Sequence, residues 1–257
     1  MGLTSLKMTD LSGKHILITG ASSGIGKSIA NQAAKLGAVL TIVGRNRERL
    51  NDTLNNLSGV GHIPLLIDIT EYDKLSDQLK EAIIKNGAFS GFVHSAGIEK
   101  TLPFKATTPS VFRELFEVNV VAGFEIARYL ARKNNFDPQG VSFVFLSSIR
   151  GILGEPALIA YSTSKSALLS GVKSMAMELA SKKIRCNSIL PGVVKTEMIE
   201  QRFKMIPQAA VDKITEKHPL GLGTPEDVAN LAVFLMSDAS KWITGSNIVI
   251  DGGYSAQ

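Results

Sequence analysis

The chain has 257 residues, 44% of them hydrophobic, which suffices for a sizeable core and fits one large α/β domain or two small ones. Its formal net charge of +5 arises from 28 Lys and Arg scattered among 23 Asp and Glu, with no basic run interleaved with aromatics, so no nucleic-acid partner is expected. A single cysteine, Cys186, excludes an intrachain disulfide, and its apolar surroundings suit a small buried hydrophobe. No signal-peptide pattern and no apolar stretch of membrane-spanning length is present. Gly2 follows Met1, but Leu6 stands where a myristoylation signal needs Ser or Thr. A cytoplasmic location without a membrane partner is expected.

Short apolar runs alternate with longer amphipathic segments throughout. The first candidate strand, residues 15–19, runs into a turn at Gly20, and a helix is predicted over 26–36. Gly20, Gly24 and Gly26 lie at this junction, with Ser22, Ser23 and Ile25 between them. Glycine permits the tight turn and close backbone approach, and the positive end of the following helix attracts a dinucleotide pyrophosphate. The second strand, 39–43, leads into Gly44-Arg45-Asn46-Arg47. A binder of the unphosphorylated dinucleotide usually has an acid where Gly44 stands, whereas a nearby Arg accommodates a 2′-phosphate. Arg45, with Ser22 and Ser23 as further donors, therefore predicts NADP(H) over NAD(H); the other reading makes Arg45 and Arg47 solvated helix-start residues.

A third strand over 62–67 ends beside Asp68 and Ile69. The Asp68 carboxylate either accepts from the adenine amino group or simply caps a helix. A helix over 72–86 and a strand over 91–94 follow, then Ser95-Ala96-Gly97, small enough for close approach to the adenosine half. His94 is read as a core histidine, and His15, His62 and His218 lack metal-ligand spacing, so no essential metal is expected. One continuous helix is predicted over 109–132, then a strand over 142–147 ending next to Ser148, and a helix over 160–181. That helix carries Tyr161 and Lys165 one turn apart on one face. A neighbouring ammonium lowers a phenol's pKa, so the pair reads as a tuned general acid.

Strands over 185–190 and 247–250 complete a set of seven, separated by a helix over 225–235 that opens on Thr224-Pro225-Glu226-Asp227, a good helix start. The alternation predicts a single-domain, Rossmann-like, doubly wound parallel sheet of about seven strands with helices on both faces, spanning residues 1–257. Residues 197–220, rich in Met, Phe, Ile and charges, read as an inserted helical flap. Its Met198, Ile199, Phe203, Met205 and Ile206 suit an adaptable cover or packing on the scaffold.

With the glycine loop, Asp68, Ser-Ala-Gly, Ser148, Tyr161 and Lys165 in this order, and with Pro191-Gly192 and the Asp251-Gly-Gly ending, the chain resembles the short-chain dehydrogenases/reductases over nearly its whole length. The resemblance implies hydride transfer between a nicotinamide and a carbonyl or secondary alcohol. Asn119 matches the asparagine that kinks its helix and helps hold a proton-relay water. Ser148 matches the serine that hydrogen-bonds the substrate oxygen, preferred over Ser147 because alternation turns adjacent side chains to opposite faces. Tyr161 matches the proton donor, and Lys165 the residue that lowers the Tyr pKa and bonds the nicotinamide ribose. Val194 and Thr196 match the anchors of the nicotinamide carboxamide. His94 departs from the family, which commonly has Asn there.

The resemblance is closest to the 3-oxoacyl-[acyl-carrier-protein] reductases, which implies a small-molecule or carrier-bound carbonyl substrate. Arg128, Arg132, Lys133, Lys182 and Lys183 are candidates for a basic landing patch for the carrier, or are solvated helix ends. Against that subfamily, Ala157-Leu-Ile-Ala160 replaces a Gly-Gln-Ala-Asn-like run, and an insert at 134–140 is expected to lie near the presumed landing site. A reductase of small ketones, sugars or steroids is the alternative. A non-catalytic dinucleotide sensor is the remote one, disfavoured because Tyr161 and Lys165 are both kept. Relatives are commonly homotetramers packed through the helices carrying Asn119 and Tyr161, and Phe116, Leu168, Leu169, Val172 and Met175 give those helices broad apolar stripes.

Overall fold

The computed structural model describes residues 9–256, so the myristoylation reading at Gly2 and Leu6 lies outside the described residues. Seven strands, β1 (His15–Thr19), β2 (Val39–Gly44), β3 (Ile63–Leu66), β4 (Gly91–His94), β5 (Val141–Leu146), β6 (Ile184–Pro191) and β7 (Asn247–Ile250), pair in parallel in the order β3-β2-β1-β4-β5-β6-β7. The order reverses direction between β1 and β4, which opens a crevice at the carboxyl ends of these two strands.

The sheet is buried on both faces because its central strands are apolar on both. Leu17 of β1 belongs to a core with Leu75, Leu79, Ile126, Leu168 and Val172, while Ile16 and Ile18 face a second core with Ile29, Ala33, Val228 and Ala232. Helices α1 (Gly24–Lys35), α2 (Arg47–Asn55), α3 (Tyr72–Asn86), α4 (Pro109–Phe116), α5 (Ala122–Leu130), α6 (Ile159–Leu179), α7 (Glu197–Phe203), α8 (Gln208–Glu216) and α9 (Pro225–Met236) complete the order. The helix predicted from Thr224 is present as α9, with a full capping box: Thr224 Oγ1 accepts from the Asp227 amide and the Asp227 carboxylate from the Thr224 amide.

The predicted helix over 109–132 is interrupted. A π-helical turn, Glu117–Val121, separates α4 from α5, and the fully buried Asn119 lies at its centre. Its side chain explains the interruption: the amide oxygen accepts from the Ile98 N–H at 2.8 Å, and the amide nitrogen donates to the Ile98 carbonyl at 3.0 Å and to Ser164 Oγ at 2.9 Å. Three bonds made at once outweigh one regular turn of helix.

Two further expectations are corrected by the topology. Arg128, Arg132 and Lys133 lie at or just beyond the end of α5, and Lys182 and Lys183 directly precede β6. In a parallel sheet these return points sit at the amino edge of the strands, opposite the crevice. The basic patch is therefore on the wrong edge to land a carrier on the site, and Arg128 is already held by Glu125 at 2.6 Å. The 134–140 insert is on the same far edge, where Asp137 accepts from Ser90 Oγ at 3.1 Å. Leu168 and Val172 are fully buried against the sheet, so they add nothing to an outer stripe.

Candidate active site

A crevice of about 680 Å³ follows the carboxyl edge of the sheet and takes residues from the turn after nearly every strand. Gly20, Ser22, Ser23, Gly24, Ile25 and Gly26 form one end, with Arg45, Asp68 and Ile69 beside them and Ser95, Ala96 and Gly97 across from them. Ser148, Tyr161 and Lys165 lie further along with Pro191, Gly192, Val194 and Thr196. All of the expected site residues therefore line one cavity except Asn119, which sits behind the wall and holds it.

The first turn is shaped by close contact. Gly20 has φ +68°, and a Cβ on it would stand 2.7 Å from the Ala96 nitrogen; one on Gly26 would stand 2.3 Å from the Gly20 carbonyl oxygen. No larger residue leaves β1, the loop and α1 so near one another. α1 has no acid in its first turn, and Ser23 caps it without a side-chain bond, so the chain itself does not neutralise the positive end of the helix. A glycine cradle at such a helix end fits a dinucleotide pyrophosphate.

At the edge of this half, Arg45 and Asp68 pair with each other at 3.1 Å, and the other Asp68 oxygen accepts from the Thr70 amide and hydroxyl. Burial alone would raise the Asp68 carboxyl, but the Thr70 bonds and the Arg45 guanidinium hold it below the usual range. Asp68 does not cap the next helix, whose N-cap is Glu71; one of its oxygens closes a turn onto Thr70 and the other holds Arg45.

In the other half, Ser148 and Tyr161 line the same wall of the crevice, and Ser148 Oγ accepts from the Arg150 amide at 3.1 Å. Ser147, which also lines the crevice, donates its hydroxyl proton to the Lys165 carbonyl at 2.8 Å. Lys165 Nζ donates to the Leu146 carbonyl at 2.7 Å and lies 5.8 Å from the centre of the Tyr161 ring. The expected lowering of the phenol by this lysine is not found. Burial, and after it the Glu99 carboxylate, pushes Tyr161 up to about 12, opposed by the Ser148 hydroxyl and the Arg150 charge. Burial likewise draws the Lys165 ammonium down to about 8, with Glu99 opposing. Thr196, expected to hold a carboxamide, caps α7 by accepting from the Ile199 amide at 3.4 Å.

Several residues of this half were not anticipated. Arg150, two positions beyond Ser148, pairs with Glu155 at 2.9 Å, and its guanidinium lies 5.1 Å from the Tyr254 ring centre. Tyr254 reaches the crevice because Asp251 accepts from the Gly253 and Ser255 amides, folding the tail over Gly192, where a Cβ would meet Asp251 Cα at 2.9 Å. Glu99, from the loop after β4, pairs with Arg202 of α7 at 2.8 Å. Met198, Ile199 and Phe203 of the flap segment line the crevice. His94 lies beneath it, fully buried, with Nδ1 3.1 Å from Thr19 Oγ1. Among the described residues no group of three His, Cys, Asp or Glu is placed to hold a metal, and no helix is long and apolar enough to cross a membrane.

The family model described as enoyl-(acyl carrier protein) reductase matches residues 20–255. The chain belongs to the short-chain dehydrogenase/reductase family. It is thus an oxidoreductase of a family that binds a nicotinamide cofactor. It is 34% identical over 260 residues to the NADP-dependent (R)-specific alcohol dehydrogenase of Lentilactobacillus kefiri, covering 97% of this chain and 100% of that one. It is 32% identical over 250 residues to the 3-oxoacyl-[acyl-carrier-protein] reductase FabG of Thermotoga maritima, covering 95% and 98%. Its fold matches that of a Sinorhizobium meliloti 1021 protein proposed to be a short-chain alcohol dehydrogenase, with a TM-score of 0.91 at 32% identity over 97% and 99% of the two chains.

Proposed function

We propose that this protein is a cytoplasmic, NADP(H)-dependent reductase of carbonyl compounds, with 3-oxoacyl thioesters as the first substrate class. The observation that carries the reading is that Ser148, Tyr161 and Lys165 line one crevice with the glycine turn, Lys165 standing one turn beyond Tyr161 on α6. The bound nicotinamide supplies or accepts the hydride. Ser148 orients the substrate oxygen, and Tyr161 gives its proton to that oxygen as negative charge develops there. With the phenol near 12, Tyr161 is protonated at neutral pH and set for reduction. Lys165, held by the Leu146 carbonyl, fixes the face of α6 on which the proton donor stands.

Arg45 supports NADP(H), because a 2′-phosphate offers it a stronger, charge-assisted partner than the exposed pair it makes with Asp68. A titration should show tighter binding of NADPH than NADH. Arg45→Ala should weaken NADPH about tenfold and leave NADH unchanged.

A second reading, a small ketone, sugar or steroid as substrate, draws support from the Arg150–Glu155 pair in the crevice wall. NADPH consumption with acetoacetyl-CoA separates the two: turnover supports the thioester class, and its absence moves the search to the second set. In either case Tyr161→Phe should lower turnover by about 10²-fold or more while NADPH still binds. Unchanged activity would refute the mechanism. We further propose a homotetramer using the exposed Val121 and Ile159 of the Asn119 and Tyr161 helices; sedimentation as a monomer would overturn it.

A further inference from the structure

The flap helix α7 is tied to the body by an ion pair between residues far apart in sequence, Arg202 and Glu99. Glu99 does not sit on a compliant loop. The backbone of its neighbour Ile98 is gripped on both sides, N–H and C=O, by the side chain of Asn119. Glu99 also accepts from Thr101 Oγ1 at 3.3 Å, and its side chain is only 22% exposed. Glu99, Arg202, Tyr161 and Lys165 line the same crevice. A guanidinium on α7 thus rests on a carboxylate anchored to the Asn119 turn, in the cavity that holds the proposed proton donor.

We propose that Glu99 and Arg202 are a positioning pair for the Tyr161 half of the crevice: in one contact Arg202 seats α7 over the crevice and offsets the carboxylate charge that the loop after β4 brings into it. The inference rests on the reading of Tyr161 as the group that exchanges a proton with substrate. Three elements bring charged or polar groups to that phenol. The loop after β4 brings Glu99. The turn after β5 brings Ser148 and Arg150, the latter already matched by Glu155, and α6 itself brings Lys165. Of the charged groups among them, the one whose partner is carried by the flap is Glu99, so seating the flap acts on the phenol through Glu99. The direction of this influence agrees with the upward push that Glu99 gives both Tyr161 and Lys165.

The two halves of the pair make opposite predictions, which a merely structural contact does not. In the oxidative direction the phenolate is the active form, so kcat/KM rises log-linearly with pH below the Tyr161 titration, and a change in the phenol displaces that rise along the pH axis. Glu99→Gln removes the opposing charge and should move that rise to lower pH. Arg202→Met leaves Glu99 unmatched and should move it to higher pH, each by about half a unit given the partial exposure of the pair. Seating of the flap is read without any substrate, as chymotryptic cleavage after Phe203. Both single variants should be cut about twofold to fivefold faster than the parent, the range an exposed ion pair allows. The exchange Glu99→Arg with Arg202→Glu should return cleavage to the parent rate.

Shifts of the same sign in both single variants, no shifts, or no rescue by the exchange would each overturn the proposal. Activity that survives Tyr161→Phe, or no oxidation of any secondary alcohol, would instead overturn the reading of Tyr161. The cleavage series would then still decide whether the pair seats the flap.

Discussion

The two ends of the crevice are built differently. The cofactor end is a backbone structure: β1, a glycine turn and α1 approach so closely that Gly20 and Gly26 have no room for a side chain. The substrate end is a side-chain structure, in which Ser148, Tyr161, Arg150, Glu155, Tyr254, Glu99 and Arg202 meet from five separate segments. Even their left-handed backbone positions differ. Gly20 and Gly24 occupy this region at the cofactor end, but Ala157 occupies it at the substrate end, with φ +64°. One end tolerates no variation in shape, and the other sets charge and shape by choosing residues. A family can thus keep one cofactor while changing substrate.

The strongest way to break this comparison is at Gly26. An added Cβ would stand 2.3 Å from a backbone oxygen, which no rotamer can relieve. Gly26→Ala should therefore cost about 3 kcal/mol, the upper end of overpacking, and should abolish NADPH binding even where the protein folds. Calorimetry of cofactor binding together with a denaturant melt checks both. An alanine variant that binds NADPH normally would show that the cofactor end is not set by close backbone contact.

The same difference explains what was legible in the sequence. The glycine turn, the seven strands and the Thr224 cap depend on residues within a few positions of one another, so their pattern was readable. The Tyr161–Lys165 spacing was readable too, but its electrical consequence was not. It depended on burial and on Glu99, which reaches the site from the loop after β4. Glu99 and Arg202 are separated by 103 residues and Arg150 and Tyr254 by 104, so no local pattern announces either contact. Arg150 gave one signal, a charge placed two residues after Ser148. The interruption at Asn119 was expected as a family kink, but its form as a π turn follows from bonds to Ile98 and Ser164 that only the fold supplies. The basic patch failed for a topological reason: charges counted along the chain do not say which edge of the sheet they reach.

His94 sharpens the comparison because it joins the two ends from below. Nδ1 meets Thr19 of β1, and its ring lies where a Cβ on Gly123, next to the Asn119 turn, would come within 2.6 Å. Burial, and then the Lys165 charge, pulls the imidazole from an ordinary 6.5 down to about 3. The unfolded chain binds this proton below about 6.5 and the native protein does not until about 3. Stability is therefore complete above 6.5 and falls as pH drops through that window. The loss is about 2 kcal/mol at pH 5 from this residue, and the buried His15, also lowered by burial, adds to it. Urea melts at pH 7.5 and pH 5 should show the loss, and His94→Asn should remove most of it. A variant with an unaltered pH slope would place the acid sensitivity elsewhere.

The smallest effect concerns Ala157. A left-handed conformation costs a residue with a Cβ about 1–2 kcal/mol. Glycine avoids that but gives up roughly 0.4–1 kcal/mol through the greater freedom of its unfolded chain. Ala157→Gly should therefore stabilise the protein by about 0.5–1 kcal/mol, seen as a higher denaturant midpoint at unchanged slope. The position is not idle, since the Ala157 carbonyl accepts from the Leu102 amide at 2.8 Å and so joins the segment before Tyr161 to the loop that carries Glu99. Strain retained at such a junction has a use only if rigidity there matters to substrate. In that case the glycine variant should gain stability and lose kcat/KM, while NADPH affinity stays as it was. If kcat/KM is unchanged, the left-handed alanine is a tolerated cost, and the substrate end owes its order to its charge pairs alone.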